Sequence, residues 1–411
     1  MSIHSKIDDF KHDFIVFFPC DWETPWRGHY LIKALSEQLS NSKILCVEYP
    51  VDLFLALFKH PFLWIKQLNR KNHLRKVSDN LFVYRPRIFL NEHIASKIPS
   101  IGKINVNWLQ YQLQDIIEKY RFNKKSLITW FSDPFQESFV GMLEEKLSIF
   151  DCYDEYTSVK SWPVFRTKQQ IQEHEKRLLN KANITFVVSD TLYRKKSPYA
   201  NTIKILSNAA DTKHFKSLNK SEHEFPQEIL NIPRPIIGYL GALSDKVDIS
   251  MLCRLAENHP EWSFISIGAI LDNIDKSKIF KIFLKKKNVY ILGSQPYKKL
   301  PYYLNAFDVC LLPLLVSHPF NINCSPLKLY EYLATGKPIV STDIPYIRKF
   351  RDVVRIGRDG DSIENCIQKC FGETDDLKKK RIAIAKENSW ERRVHEVLAI
   401  IKDKIEKDNE T

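Results

Sequence analysis

The sequence predicts an α/β protein made of two Rossmann-like domains whose parallel sheets face each other across a cleft. Three observations predict it. The first half alternates continuous apolar runs with stretches of helical periodicity. The second half restarts that alternation after a polar, proline-bearing interval. At 411 residues the chain is also too long for one typical core. Continuous apolar strands alternating with helices imply parallel sheets covered on both faces.

In the first half the runs at 14–18, 43–48, 81–86, 126–131, 147–154 and 184–189 read as strands, and 28–40, 105–120 and 167–182 as helices. In the second half the strands fall at 235–241, 263–268, 288–293, 309–313, 338–342 and 353–357. The interval 212–234 contains no strand and reads as a linker. Residues 377–408 form one charged helical stretch that includes Trp390. The chain thus divides into a first domain of 1–211, a linker of 212–234, a second domain of 235–376 and a helical segment of 377–411.

Composition narrows the function. Hydrophobic residues at 44% and aromatics at 12% describe a globular chain. A net charge of +13 favours acidic partners. Nucleic acid is set aside because no recognition motif accompanies the charge. The eight cysteines are scattered without zinc-finger spacing, which suits buried thiols in the cytoplasm. The polar opening MSIHSKIDDFKHDF is no signal peptide, and no apolar run approaches the ~20 residues of a membrane span. The run VDLFLALFKHPFLWIK at 51–66, followed by KQLNRKNHLRK, fits either a segment lying on an anionic membrane surface or a core helix with a basic outer face.

The stretch NINCSPLKLYEYLATGKPIVST at 321–342 carries the most chemistry. Ser325 is a favoured N-cap and Pro326 suits the first helical position. Leu327, Leu329, Tyr330 and Leu333 give an apolar face, and Gly336 ends the helix. A helix N-terminus carries roughly half a positive charge, so Lys328 in the first turn opposes the dipole unless an anion sits there. Glu331, one turn deeper, suits a sugar diol. Phosphate and ribose together point to a nucleotide. Neighbouring strand-to-helix loops support this. Gly241 allows close approach to a phosphate, Lys246 adds charge, and a helix starts near Asp248 or Ile249. Ser294 and Gln295 belong to a loop, ending at Tyr297, that can hold a base by its main chain. Neither a Walker lysine motif nor G-x-G-x-x-G is present, which argues against an ATPase or a dehydrogenase. Asp359-Gly360-Asp361 reads as a loop, not a metal site.

The first domain supplies acids. Asp151, Asp154 and Glu155 cluster at the end of a strand, where one of them can act as a general base, with mutual repulsion raising a pKa. The loop before the first helix holds Asp21, Trp26, Arg27 and His29, and Asp133 follows another strand. Aromatics, Arg and acids in a cleft suit sugar or lipid-phosphate contact.

With these motifs in view the chain resembles sugar-nucleotide glycosyltransferases of the GT-B fold near family 4, and among them bacterial teichuronic-acid and exopolysaccharide enzymes. DWETPWRGHYLIKAL, DCYDEY, ILSNAADTKHF, GYLGALSDKVD and SPLKLYEYLATGKPIVST carry the resemblance, which spans nearly the whole chain. It implies that Glu331 binds the donor ribose, that Ser325, Pro326, Leu327 and Lys328 hold the diphosphate, that the first domain binds the acceptor, and that the Trp390 helix packs back onto the first domain. The family has two glutamates where this chain has Asn323 and Glu331, and Gly-Arg where it has Gly241-Ala242. Those departures leave retention or inversion open. In the similar inverting enzyme an acid of the first domain is the base, which favours Asp154 or Glu155. The expected activity is transfer from a nucleotide sugar, a UDP-sugar above others, to a lipid-linked or growing glycan. It needs no metal or other cofactor and takes place at the inner face of the cell membrane. A sugar-nucleotide epimerase and a non-catalytic nucleotide-sugar-binding assembly protein are the alternatives.

Overall fold

The computed structural model describes residues 10–24, 26–52, 74–88, 99–159, 166–216, 225–271 and 274–410. In chain order the strands are β1 (Asp13–Phe17), β2 (Ile44–Val47), β3 (Val51–Asp52), β4 (Leu74–Lys76), β5 (Leu81–Tyr84), β6 (Arg87–Ile88), β7 (Leu127–Phe131) and β8 (Leu147–Cys152). Then follow β9 (Ile184–Val187), β10 (Ile203–Ile205), β11 (Ile236–Leu240), β12 (Ser263–Ile267), β13 (Val289–Ile291), β14 (Val309–Leu312), β15 (Ile339–Thr342) and β16 (Arg355–Gly357).

One sheet has the order β10-β9-β8-β7-β1-β2-β5-β4, and a second the order β13-β12-β11-β14-β15-β16. The second is parallel throughout, in the doubly wound order. In the first, β4 runs antiparallel to β5 at the edge. Each sheet reverses its winding once, between β1 and β7 and between β11 and β14. Ligands bind at such switch points, beyond the carboxyl ends of the strands.

Burial explains the sequence pattern. Every residue of β1, β7, β8, β11 and β12 is buried, so these strands have no polar alternation. One face of the first sheet is covered by Leu31, Ile32 and Leu35 of the helix Arg27–Gln38 and by Trp390, Val394, Val397, Leu398 and Ile401 of the helix Trp390–Glu410. The other face packs against Leu109, Leu113 and Ile117 of Pro99–Lys119 and Ile171, Leu178 and Leu179 of Lys168–Lys181.

Several local expectations change. The charged tail is two helices, Asp375–Glu387 and Trp390–Glu410, and not one. The break coincides with backbone bonds to Ala210, from Ala210 N–H to Asn388 O at 3.0 Å and from Trp390 N–H to Ala210 O at 3.4 Å. Asp359 is not in a free loop but caps the helix Gly360–Gln368, accepting from Ser362 N–H at 2.8 Å. Residues 74–76 of the basic run form edge strand β4, where Arg75 meets Glu23 and Glu48 and Lys76 meets Asp79. The apolar run at 53–66, with Lys66, Arg70 and Lys71, lies outside the described residues. Among the described residues no helix is long and apolar enough to cross a membrane.

Candidate active site

The switch point of the second sheet is built from the loops after β11 and β14. Gly241 follows β11 with φ +154°. A Cβ there would lie 2.0 Å from Lys328 Cε and 2.9 Å from its Nζ, so the lysine side chain lies directly across the glycine. Only a residue without a side chain permits that approach. Lys328 reaches this place from the first turn of the helix Leu327–Thr335. The sequence put Ser325 at the N-cap of that helix and Pro326 inside it. In the structure Pro326 is the N-cap and no side chain caps the helix. The Ser325 hydroxyl accepts instead from Asn208 N–H at 3.2 Å, across the cleft. The leading N–H groups of the helix have no intrahelical partner and, with Lys328, offer a positive end.

Glu331 is only 8% exposed. Its carboxylate has no hydrogen bond or ion pair among the described residues. Burial pushes its pKa up to about 7, against the pull of Lys328. A carboxylate this enclosed, without a protein partner, is placed to accept donors that a ligand supplies. Leu327 packs onto the hydrophobic core of the first sheet, so this helix touches both halves.

The remaining donor-side residues divide. Lys246 holds its ammonium 3.6 Å from the centroid of Phe320 and acts electrostatically on Asp154 of the first half. Asn323, at the position of the family's first glutamate, has its side-chain amide donating back to Pro319 O at 2.8 Å, and its main-chain carbonyl accepts from Ser189 Oγ at 2.6 Å. Ser294 is exposed and Gln295 donates to Leu292 O at 2.9 Å. Their loop ends at Tyr297, which stacks on His214 at 4.1 Å and approaches Tyr30 of the first half at 5.5 Å.

On the facing edge the three acids at the end of β8 have separate fates. Asp151 is bound by the Arg27 fork, Nε and Nη2 both at 3.0 Å, with side chains 1% and 3% exposed. This corrects two assignments. Asp151 has both oxygens engaged by an enclosed guanidinium and is not open to a substrate hydroxyl, and Arg27 is not open to an acceptor. Glu155 is buried between Lys195 and Lys196, and Thr157 donates to it at 2.7 Å. Burial raises its pKa, but Lys196, Lys195 and Thr157 more than offset that and leave it below the ordinary carboxylate value. So held, it is a poor base. Asp154 differs. No hydrogen bond or ion pair within the described residues engages its carboxylate. Burial pushes its pKa up to about 7, with Lys246 and Arg27 opposing.

The residues assigned to the acceptor are mostly committed elsewhere. Asp21 is exposed and pairs with Arg85 at 2.6 Å. His29 Nδ1 donates to Trp22 O at 2.8 Å, and burial holds its pKa below the usual value, so it is a neutral structural residue. Asp133 pairs with Arg166 at 3.1 Å and accepts from Phe135 N–H at 2.9 Å. Trp26 lies over Gly28, where a Cβ would be 2.2 Å from the indole, and packs against Tyr153 at 5.2 Å. Its buried indole N–H has no partner among the described residues. Beside these residues, at the β1/β7 switch point, a cavity of about 440 Å³ is walled by Phe17, Phe18, Val47, Leu109 and Phe135, with Asp133 among its polar groups.

The comparisons join this geometry to known proteins. The fold is similar to sucrose-phosphate synthase from Thermosynechococcus elongatus, with TM-score 0.70 and 13% identity over 95% of this chain and 98% of that one. It is also similar to Anabaena HepE in complex with UDP and glucose, with TM-score 0.63 and 14% identity over 95% and 99%. Residues 234–371 match the family described as glycosyl transferases group 1. Over 317 residues the chain is 27% identical to TuaH of Bacillus subtilis (strain 168), a protein named for glycosyl transfer in teichuronic acid biosynthesis, covering 72% of this chain and 78% of that one. The chain is a GT-B glycosyltransferase.

In this glycosyltransferase the fold gathers Gly241, Lys246, Lys328, Glu331 and Asp154 from both halves. Sequence reasoning missed Asn208 and Tyr30, and it read Tyr297 only as the end of a loop holding a base by its main chain. Asn208 sits in the quoted stretch ILSNAADTKHF, but nothing in that stretch singles out one asparagine. Tyr30 falls within a helical pattern and reads as packing. Only the approach of the two halves gives these residues a role.

Proposed function

We propose that this glycosyltransferase takes a sugar from a UDP-sugar and passes it to a lipid-linked or growing cell-surface glycan, without a metal. The observation that carries this reading is Glu331, a buried carboxylate without a protein partner, one turn from Lys328 at the second sheet's switch point. Glu331 accepts from the ribose hydroxyls. Lys328 and the helix end hold the diphosphate, with Ser325, Pro326 and Leu327 shaping the turn, and Gly241 leaves room for the lysine. The loop of Ser294 and Gln295 faces the base.

In the reaction the acceptor oxygen bonds to the anomeric carbon as the bond from that carbon to the diphosphate oxygen breaks. The electron pair leaves with the diphosphate, where Lys328, Lys246 and the helix N–H groups stabilise it. Asp154 takes the proton from the acceptor hydroxyl. UDP is the nucleotide in the solved HepE complex, and TuaH is named for teichuronic acid biosynthesis. Both support the choice of donor and acceptor class.

A thermal-shift screen across UDP, GDP, dTDP and CMP tests the donor. UDP should raise the melting temperature most, because a ligand that binds only the folded state stabilises it by mass action. No shift with any of them would overturn the donor reading. Because protein cations meet the leaving group, turnover should persist in excess EDTA. Reversible loss on chelation would instead mean a metal-bound diphosphate.

The acceptor side rests on the cavity at the β1/β7 switch point and on the apolar and basic run at 51–76. We expect the protein to co-sediment with anionic vesicles and to be partly released by salt, each basic side chain near such a surface contributing about 1 kcal/mol. Equal partitioning onto neutral and anionic vesicles, or none onto either, would remove the membrane from the proposal.

A further inference from the structure

Arg27 and Asn208 make a chain of contacts from the strand that bears the acids to the helix that bears Lys328. The Arg27 guanidinium uses Nε and Nη2 on Asp151, three residues before Asp154 in sequence. Its Nη1 donates to Leu206 O at 3.1 Å and to Asn208 Oδ1 at 2.9 Å. With Oδ1 facing a cation, the amide nitrogen of Asn208 must point the other way, and it donates to Ser325 O. Turning the amide over would set donor against donor. The Asn208 N–H donates to the Ser325 hydroxyl at 3.2 Å, and Arg393 Nη2 reaches the Asn208 carbonyl at 3.5 Å. Asn208 is thus fixed through its backbone and both ends of its side chain, and all its contacts to Ser325 cross between the halves.

We propose that Arg27 and Asn208 are positioning residues that set the separation between the base-bearing end of β8 and the helix that receives the diphosphate. Ser325 precedes the N-cap of that helix, so holding its carbonyl and hydroxyl fixes where the leading N–H groups and Lys328 point. The Asp151 pair anchors the other end in the first sheet. Transfer between two separately bound reactants depends on their relative placement, and small errors there are expensive in rate. Neither residue touches a substrate. The proposal rests on the reading of Ser325–Lys328 as the diphosphate site.

The test uses the full-length enzyme with UDP and a UDP-sugar. Asn208→Ala leaves the Arg27–Asp151 pair intact. It should weaken UDP binding and lower kcat, each by roughly tenfold, since it removes the charge-assisted bond from Arg27 and the side-chain bond to the Ser325 carbonyl, while the backbone bond to the Ser325 hydroxyl remains. Arg27→Lys keeps a cation beside Asp151 but cannot also reach Asn208 through a fork, and it should reproduce the same losses. The double variant should be no worse than either single one, because both break one linkage. If Arg27→Lys fails to fold, the isosteric Asn208→Asp serves in its place. It keeps an acceptor toward Arg27 and loses the donor toward Ser325, so it should match Asn208→Ala. A purely structural role would lower the melting temperature while leaving kcat and KM per folded molecule unchanged, and that result would overturn the proposal. So would losses in the two single variants that multiply in the double. If the wild-type enzyme binds no UDP, the donor reading fails first, and that outcome is distinct from either of these.

Discussion

Replacing Asp154 with Asn should reduce kcat by about 10²–10⁴-fold while leaving UDP affinity nearly unchanged. The expectation comes from what surrounds the residue. Three acids lie at the end of β8, but Asp151 is engaged by Arg27 and Glu155 by Lys195 and Lys196. Neither can take over the proton when Asp154 is lost. The pH dependence follows from the direction of the shift. Burial raises the Asp154 pKa to about 7, and a base works only in its ionised form. At saturating donor, kcat should therefore rise as pH increases through about 7 and then level off. The Asn variant should lack that limb. An Asp154→Asn enzyme with near-normal kcat would show that no protein carboxylate accepts the proton, and would direct attention to a retaining route that needs no such base.

Lys328→Ala should weaken UDP binding by roughly tenfold to a hundredfold, the value of about one charge-assisted hydrogen bond. It should also lower kcat, because charge on the diphosphate grows as the glycosidic bond breaks. Gly241→Ala offers an independent approach to the same lysine. A Cβ at 2.0 Å from Lys328 Cε drives the side chain off its resting place, so this variant should lose affinity in the same direction without any change of charge. Calorimetric titration with UDP measures both, and circular dichroism checks the fold. Unchanged affinity in both variants would remove Lys328 from the donor site.

The central strands β1, β2, β7, β8, β9, β11, β12, β14 and β15 were legible because they are buried on both faces and therefore mostly apolar, while β5, β13 and β16 are partly exposed and were read from short apolar runs. Those that escaped notice are short and at sheet edges. Ile203–Ile205 has a partly exposed pattern, and Leu74–Lys76 is hidden in a run of bases. The break in the last helical stretch escaped because Asn388 and Ser389 are tolerable within a helix. The helix breaks where an isolated backbone bridge joins Ser389 to Ala210, remote in sequence. At the site, Lys328 and Gly241 could be read because local rules single them out, one by opposing its own helix dipole and the other by ending a strand. Arg27 and Asp151 were misread for the complementary reason. Residue type announces a charge, but only the fold shows that the two charges, 124 positions apart, neutralise each other. Asp154 and Glu331 retain chemistry because the same folding leaves them without partners.

The helix Trp390–Glu410 has a consequence for how the chain is made. One face of the first sheet is closed by Trp390, Val394, Val397, Leu398 and Ile401, together with residues of the helix Arg27–Gln38. During synthesis the strands of that sheet leave the ribosome long before this helix exists. Leu31, Ile32 and Leu35 then have only part of their packing, and the apolar surface they share with β1, β7 and β8 stays open to water. The intervening second sheet draws on residues 236–357 and can close meanwhile. The order of completion is thus the reverse of the order of translation. A nascent chain arrested before Trp390 would carry a finished second half attached to an adhesive first half, the kind of species that aggregates or recruits chaperones.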